Sequence, residues 1–344
     1  MTNIQEVARA AGVSTATVSR YLSGQTVRSS EAVASAVRAL GYSPSVVARS
    51  LKSGRHGALG VIVPDITNPF FSALVKGINQ EVRTSGYQVI LGNSDEDAQQ
   101  EEALLAALTQ RTDGLIIAPL VEGDLSLVGL EDSTMPVVLV DRDITFATRF
   151  DRVLVDNLSG ARQAVEHLAA LGHRNIAHIG GPIGSTPGRA RHEGFLAAMA
   201  EQGIPVQEGL IRISDFREEG GRESMADLWS QANRPTAVFV ANNLMTIGAL
   251  KFLHTSGVRV PQDISIVGFD DVSLAGLLNP PLTVIRRPDI EQGARAARLI
   301  LARLEQENGQ EMAEPKSERI TLPVHLVVRG STAAPGQAAE GEQE

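Results

Sequence analysis

Residues 14–20 carry the first recognisable chemistry. Ser14, Thr17 and Ser19 offer hydroxyls suited to phosphate oxygens, and Arg20 offers a guanidinium that can bind guanine O6 and N7 with two parallel hydrogen bonds. Such groups read a duplex only when the second helix of a sharply angled pair presents its N-terminal side chains to the major groove. The preceding Ala10-Ala11-Gly12-Val13 supplies small residues for close helix approach and a glycine for the turn, and Ser14 caps the second helix. On that helix Thr15, Ala16 and Arg20 point outward while Val18 and Leu22 point inward.

Charge separates this head from the rest. The 344 residues carry a net charge of −9, yet residues 1–56 hold seven basic residues against Glu6 and Glu31, a net +5 that leaves −14 for the remainder. A basic head on an acidic body reads as a phosphate-contacting module joined to a part with another task. There is no cysteine, so disulfides and Cys-based zinc sites are excluded. Residues 1–9 lack the basic cluster and apolar run of a secretory signal, and no stretch approaches the ~20 apolar residues of a membrane span. A cytoplasmic protein without membrane contact is expected.

The elements that must position these groups emerge from periodicity. Thr2 and Gln5 have capping-box spacing ahead of a first helix containing Ile4, Val7 and Ala8. A third helical stretch, 32–40, ends at Gly41, and Ser43-Pro44 opens a short helix over 45–52 followed by a linker to 57. Beyond residue 58 strand-like runs at 59–63, 88–91, 114–118, 137–140, 176–179, 237–240 and 264–267 alternate with amphipathic stretches near 70–85, 97–111, 158–171, 189–202, 218–231 and 244–256. That rhythm predicts an α/β body of parallel sheets covered by helices on both faces. Residues 333–344, without apolar anchors, are expected to be a disordered tail.

The string Ile4-x-x-Val7-Ala8-x-x-Ala11-Gly12-Val13-Ser14-x-x-Thr17-Val18-Ser19-Arg20-x-Leu22 strongly resembles the head of the lactose-repressor (LacI) family, and Gly41-Tyr42-x-Pro44 with Ala48-Arg49-Ser50-Leu51 resembles its hinge. The segment Gly60-Val61-Ile62-Val63-Pro64-Asp65-Ile66-x-Asn68-Pro69-Phe70-Phe71 looks like the first strand and loop of that family's effector domain. The resemblance implies a helix-turn-helix DNA-binding domain (1–44), a hinge (45–57) and a two-lobed periplasmic-binding-protein-like effector and dimerisation domain (58–332). Its lobes would comprise about 58–156 with 287–318, and 157–286 with 319–332. It assigns base reading to Thr15, Ala16 and Arg20, hinge contacts to Ser45 and Arg49, and a minor-groove wedge to Leu51, whose other reading is a core leucine. Between Gly24 and Gly41 the chain runs a few residues shorter than the family pattern, and Ser45 stands where asparagine is usual.

In open α/β sheets ligands bind outside the carboxyl ends of the strands. A hydroxylated ring needs charged or amide groups at its rim and flat apolar groups against its faces. Groups so placed are Asn68, Phe70, Phe71, Asp141, Arg142, Arg191, Phe216, Asn242 and Asp270. The resemblance makes each a ligand position, with Phe70 and Phe216 sandwiching a sugar and Asp141, Arg191, Asn242 and Asp270 fixing its hydroxyls. The alternative reading of the phenylalanines is core, and of Asp141 and Asp270 strand-end caps or ion-pair members; Asp271 reads as structural. Two departures bear on the ligand: Asn243 stands in place of the family's aspartate, and Arg287 in place of glutamine. Arg142, Arg191 and Arg287 near one cleft would suit an anionic sugar.

Walker A, G-x-S-x-G and H-E-x-x-H strings do not occur, His167, His173 and His178 read as structural, and Asp270 and Asp271 diverge as strand-end neighbours. Neither enzyme chemistry nor a cofactor or metal is expected. A sugar-transport binding protein would fit the body but not the head. The resemblance implies a homodimeric, effector-controlled repressor of double-stranded operator DNA, dimerising through the helices near 70–85 and 97–111. The tail has no leucine heptads for a tetramerising coil.

Overall fold

The computed structural model describes residues 3–22, 25–42, 55–120, 122–123, 127–131, 133–144, 149–272, 274–306 and 317–336. The hinge positions Ser45, Arg49 and Leu51 and the tail beyond 336 lie outside them. The chain divides into two compact units, Met1–Gly57 and Ala58–Glu344.

The first unit holds α1 (Ile4–Ala11), α2 (Thr15–Leu22) and α3 (Ser30–Ala39). Asn3, rather than Thr2, caps α1: its side chain accepts from the Glu6 amide and the Glu6 carboxylate returns the bond. Gly12 ends α1 with φ 65, a left-handed conformation that costs a glycine nothing. Val7, Ala8, Val18, Val33 and Ala36 form the core, with Tyr21, Leu22 and Tyr42 packed around it.

The second unit contains two six-stranded sheets. The first has the order β11-β5-β4-β3-β1-β2, formed by β1 (Ala58–Val63), β2 (Gln88–Asn93), β3 (Gly114–Ile117), β4 (Val137–Val140), β5 (Asp151–Val155) and β11 (Arg319–Leu322), all parallel. The second has the order β12-β10-β9-β8-β6-β7. Its strands are β6 (Ile176–Gly180), β7 (Ile211–Ile213), β8 (Ala237–Val240), β9 (Ser265–Phe269), β10 (Thr283–Arg286) and β12 (His325–Val327), parallel except for β12 against β10.

The pleat feeds opposite faces. Leu59, Val61 and Val63 pack against α4 (Pro69–Thr84) and α11 (Asp289–Gln306), while Ile62 meets Leu105 and Leu108 of α5 (Ala98–Thr109). A short helix, α6 (Val128–Glu131), precedes β4. In the second sheet Ala237 and Phe239 face α7 (Asn157–Ala170) and α8 (Thr186–Glu201). Val238 and Val240 face α9 (Glu218–Ser230) and α10 (Asn243–Thr255). Helices α4 and α11 meet backbone to backbone: a Cβ on Gly77 would lie 2.0 Å from the Ile290 carbonyl oxygen, and one on Gly293 the same distance from that of Leu74.

Three expectations change. Strand β11 pairs with β5, so residues 319–322 belong to the first lobe and the last crossing comes after Leu322, not residue 318. Ala333 is anchored, donating to Ser265 Oγ and accepting from the His173 ring, so the tail does not begin there. Strands β5 and β10–β12 and helix α11 were not expected. Strand β5 opens on Asp151 and Arg152, whose charges are buried in ion pairs with Arg303 and Asp143, and α11 buries alanine and glycine rather than large apolar side chains.

Candidate functional site

In the head, Thr15, Ala16 and Arg20 are exposed while Val18 is fully buried, the division that a groove-facing helix requires. Ser14 Oγ accepts from the Thr17 amide at 3.2 Å and shares a hydrogen bond with its hydroxyl at 3.0 Å. The capping pair thus sits at the end of α2 that carries the partial positive charge of the helix dipole.

In the body, every strand-end residue selected above lines one cavity of about 350 Å³ between the lobes: Asn68, Phe70, Phe71, Asp141, Arg142, Arg191, Phe216, Asn242, Asp270 and Arg287. Asp65, Asn93, Asp95, Glu96, Asp215 and Arg217 also line it. None of these was among the strand-end residues selected above, although Asp65 follows β1, Asn93, Asp95 and Glu96 lie at or after the end of β2, and Asp215 and Arg217 flank Phe216 after β7.

The backbone around this cavity is strained. Five non-glycine residues among those described have positive φ: Asp95, Glu96, Asp141, Phe216 and Asp270, between 54° and 75°. All five line the cavity. Left-handed backbone costs an L-residue roughly 1–2 kcal/mol, and such residues concentrate at ligand clamps where the surrounding fold imposes them.

The arginines are already paired. Arg142, 4 % exposed, donates from both terminal nitrogens to Glu96, at 3.0 and 2.6 Å, and lies 5.8 Å from the Phe216 ring centroid. Burial opposes its charge, but Glu96, with Asp141 and Glu101, outweighs burial and raises its pKa. Arg287 reaches Asp141 from Nη1 at 2.6 Å, and its Nε lies 2.8 Å from Asp270 Oδ1 at an angle that makes no hydrogen bond. Its guanidinium carbon sits 3.2 Å from the centroid of Phe70. Arg191 stands in the second turn of α8; Nε donates to Asn157 Oδ1 at 2.8 Å and Nη1 to the Ala241 carbonyl at 2.5 Å. It lies over Phe269 at 3.6 Å, and burial lowers its pKa to about 10.

Seven carboxylates and four arginines line the cavity. A cluster of free guanidiniums for an anion is therefore not what forms, and the anionic-sugar expectation loses its support. Phe70 and Phe216 both line the cavity; Phe70 is 2 % exposed, with Arg287 over one face of its ring. Phe216 is supported from behind by Gly181, where a Cβ would come within 2.0 Å of the ring. Asn242 caps α10 through Oδ1 and donates from Nδ2 to the Phe216 carbonyl at 2.8 Å, so both ends of its amide hold the site together.

Hydrogen bonds join the lobes around the cavity. Asn243 Nδ2 donates to Asn68 Oδ1 at 2.9 Å, and Arg217 to the Asp95 carbonyl at 3.1 Å. Elsewhere between the lobes Glu122 accepts from Thr186 at 2.8 Å and Arg189 at 2.7 Å. Asp271 pairs with Arg286 and Arg329, the structural role expected of it. His173 bonds Thr236 and Ser265, and His178 is buried between Phe195 and Phe239. Among the described residues no group of three or more metal-ligating side chains forms, and no helix is long and apolar enough to cross a membrane.

Comparison with known proteins agrees with both parts. Residues 3–45 match the family model described as bacterial regulatory proteins, lacI family, and residues 165–332 match a periplasmic binding protein-like domain. The ribose operon repressor of Escherichia coli strain K12 is 35 % identical over 96 % of this chain and 100 % of its own. The crystal structure of the lac repressor dimer bound to operator and the anti-inducer ONPF is 29 % identical, with a TM-score of 0.83 over 97 % of this chain and 99 % of that one. A LacI family transcriptional regulator from Enterococcus faecium with bound ribose is 31 % identical, with a TM-score of 0.69 over 80 % of this chain and 99 % of that one. With the helix-turn-helix pattern, the two-lobed body and relatives that regulate transcription rather than catalyse reactions, this chain belongs to the LacI family of bacterial regulatory proteins.

Proposed function

We propose that this protein is a cytoplasmic, homodimeric repressor that binds a pseudo-palindromic operator through Thr15, Ala16 and Arg20, with a small neutral sugar in the interlobe cavity controlling its affinity for DNA. The observation that carries the reading is the cavity itself: all five strained non-glycine residues of the described chain gather there, in the same polypeptide as a helix-turn-helix head. Neutrality is supported by the pairing of Arg142 with Glu96 and of Arg287 with Asp141, which leaves hydroxyl-binding carboxylates in excess over guanidiniums. The ribose held by the Enterococcus faecium relative fits that chemistry.

Each head would take one half-site. The hinge, with Ser45, Arg49 and Leu51, would fold in the minor groove when paired, since a helix of that length is marginal alone. The expected dimer surface gains support from edge strand β2, which lies against α4 and α5 and exposes Ile90 and Leu91 at 38 % and 41 %. A ligand that prefers one lobe arrangement shifts DNA affinity by its differential binding to the two arrangements.

Selection of bound duplexes from a random pool tests the DNA half. A palindromic consensus is expected, with Arg20→Ala losing about 1–3 kcal/mol of discrimination at one base position; absence of any enriched sequence at physiological salt overturns it. A thermal-shift panel of neutral sugars, sugar acids and sugar phosphates tests the other half. Stabilisation by a neutral sugar is expected, and stabilisation by phosphorylated sugars alone would refute neutrality.

A further inference from the structure

Three carboxylates surround the single guanidinium of Arg287. Asp141 and Asp270 approach from the ends of β4 and β9, both in left-handed backbone, and Asp289 approaches from the first residue of α11. Asp141 takes Nη1. The other two contend for Nε: Asp270 Oδ1 lies at 2.8 Å and Asp289 Oδ1 at 3.4 Å, neither with hydrogen-bonding geometry, and both oxygens and Nε are buried without a partner. One N–H cannot satisfy two buried carboxylates. Asp270 lines the cavity and Asp289 does not.

We propose that Asp289 is a positioning residue for the effector site. When it holds a proton, the Arg287 Nε–H is left to Asp270. When it ionises, it draws Nε–H toward itself and leaves Asp270 Oδ1 as an acceptor for a ligand hydroxyl. Effector affinity then rises with pH. This rests on reading the interlobe cavity as the effector site. The charged groups acting on Asp289 are Arg287 beside it, Asp270 and Asp271 from the β9 end, and Asp141 from the β4 end. Asp271 is itself held by Arg286 and Arg329. The N-terminus of α11 favours the carboxylate, but burial, reinforced by the neighbouring aspartates and only partly offset by Arg287, pushes the Asp289 carboxyl up to about 7. Its proton therefore exchanges close to neutral pH.

The test uses the full chain, Asp289→Asn, and Asp289→Ser as a second helix-starting variant, with D-ribose as the probe. Ribose affinity of the unsubstituted protein should rise about threefold or more from pH 6 to pH 8, and in either variant it should stay flat at the low-pH value. Independently of any ligand, the variants should gain at least about 3 °C in unfolding midpoint relative to the unsubstituted protein between pH 5 and pH 8. A midpoint difference that does not change with pH overturns the titration of Asp289. A changing midpoint with an unaltered ribose profile overturns its hold on the ligand site. If the unsubstituted protein binds no ribose at either pH, ribose is not its sugar and the positioning role is rejected for that ligand, while the midpoint comparison still decides the titration.

Discussion

Two arginines of the cavity, both buried, should respond unequally to the same substitution. Arg191 sits among neutral partners, the Asn157 amide oxygen and the Ala241 carbonyl, and burial lowers its guanidinium to about 10. That corresponds to a folded-state penalty of about 3 kcal/mol on the charged form. Its folded pKa lies below the unfolded one, so removing the charge recovers that penalty at neutral pH. Methionine forfeits two hydrogen bonds of about 1–1.5 kcal/mol each and strands a buried carbonyl at about 1–3 kcal/mol. The loss of about 3–6 kcal/mol is set against about 3 kcal/mol recovered, so Arg191→Met should cost no more than about 3 kcal/mol. Arg287 is the reverse case: burial opposes its charge, but Asp270, Asp141 and Asp289 outweigh it and raise its pKa. Arg287→Met leaves buried carboxylates without a cation and should cost about 3–5 kcal/mol. The sole tryptophan, Trp229 on α9, reports unfolding of the second lobe by fluorescence during urea titration. Arg287→Met should lower the urea midpoint by more than about 1 M, and Arg191→Met by less than Arg287→Met does. Equal losses, or no loss for Arg287→Met, would refute the charge assignment.

The α4–α11 crossing should tolerate no side chain: Gly77→Ala would place its Cβ 2.0 Å from a backbone oxygen and should cost about 1–3 kcal/mol by thermal denaturation. Gly209→Ala, where a Cβ meets nothing within 4 Å, serves as the control and should be near neutral. Burial among Phe195, Phe239 and His192 pushes the His178 imidazole down to about 3, against an ordinary 6.5. Its contribution to stability is complete above pH 6.5 and declines as pH falls toward 3, by about 1.4 kcal/mol per pH unit. His178→Phe should therefore lose about 2 kcal/mol less than the unsubstituted protein between pH 6.5 and pH 5, measured as denaturation midpoints; parallel pH curves would show that His178 is not the acid-sensitive group.

Local pattern alone determined a good deal of this protein. The head is written in contiguous residues: a cap, a glycine turn at Gly12, and inward positions three and four apart, all within one short helical pair. The parallel α/β character came from apolar runs alternating with helical stretches, and the cavity-lining residues from their place just after strands. Tertiary structure decided what those residues are free to do. Arg142 finds Glu96 46 positions away, and Arg287 finds Asp141 146 positions away. The first pair forms across the carboxyl edge of the first sheet and the second where the two sheets come together, and no local period encodes either. This pairing turned an expected cluster of free guanidiniums into one in which Arg142 and Arg287 are held by carboxylates. The same long-range pairing hid β5, whose buried Asp151 and Arg152 read as surface charge until Arg303 and Asp143 are brought beside them. The assignment of β11 to the first lobe was likewise decided by its ladder with β5, across nearly half the chain. Sequence named the residues around the cavity; burial and charge pairing, which only the folded chain creates, set their electrostatics.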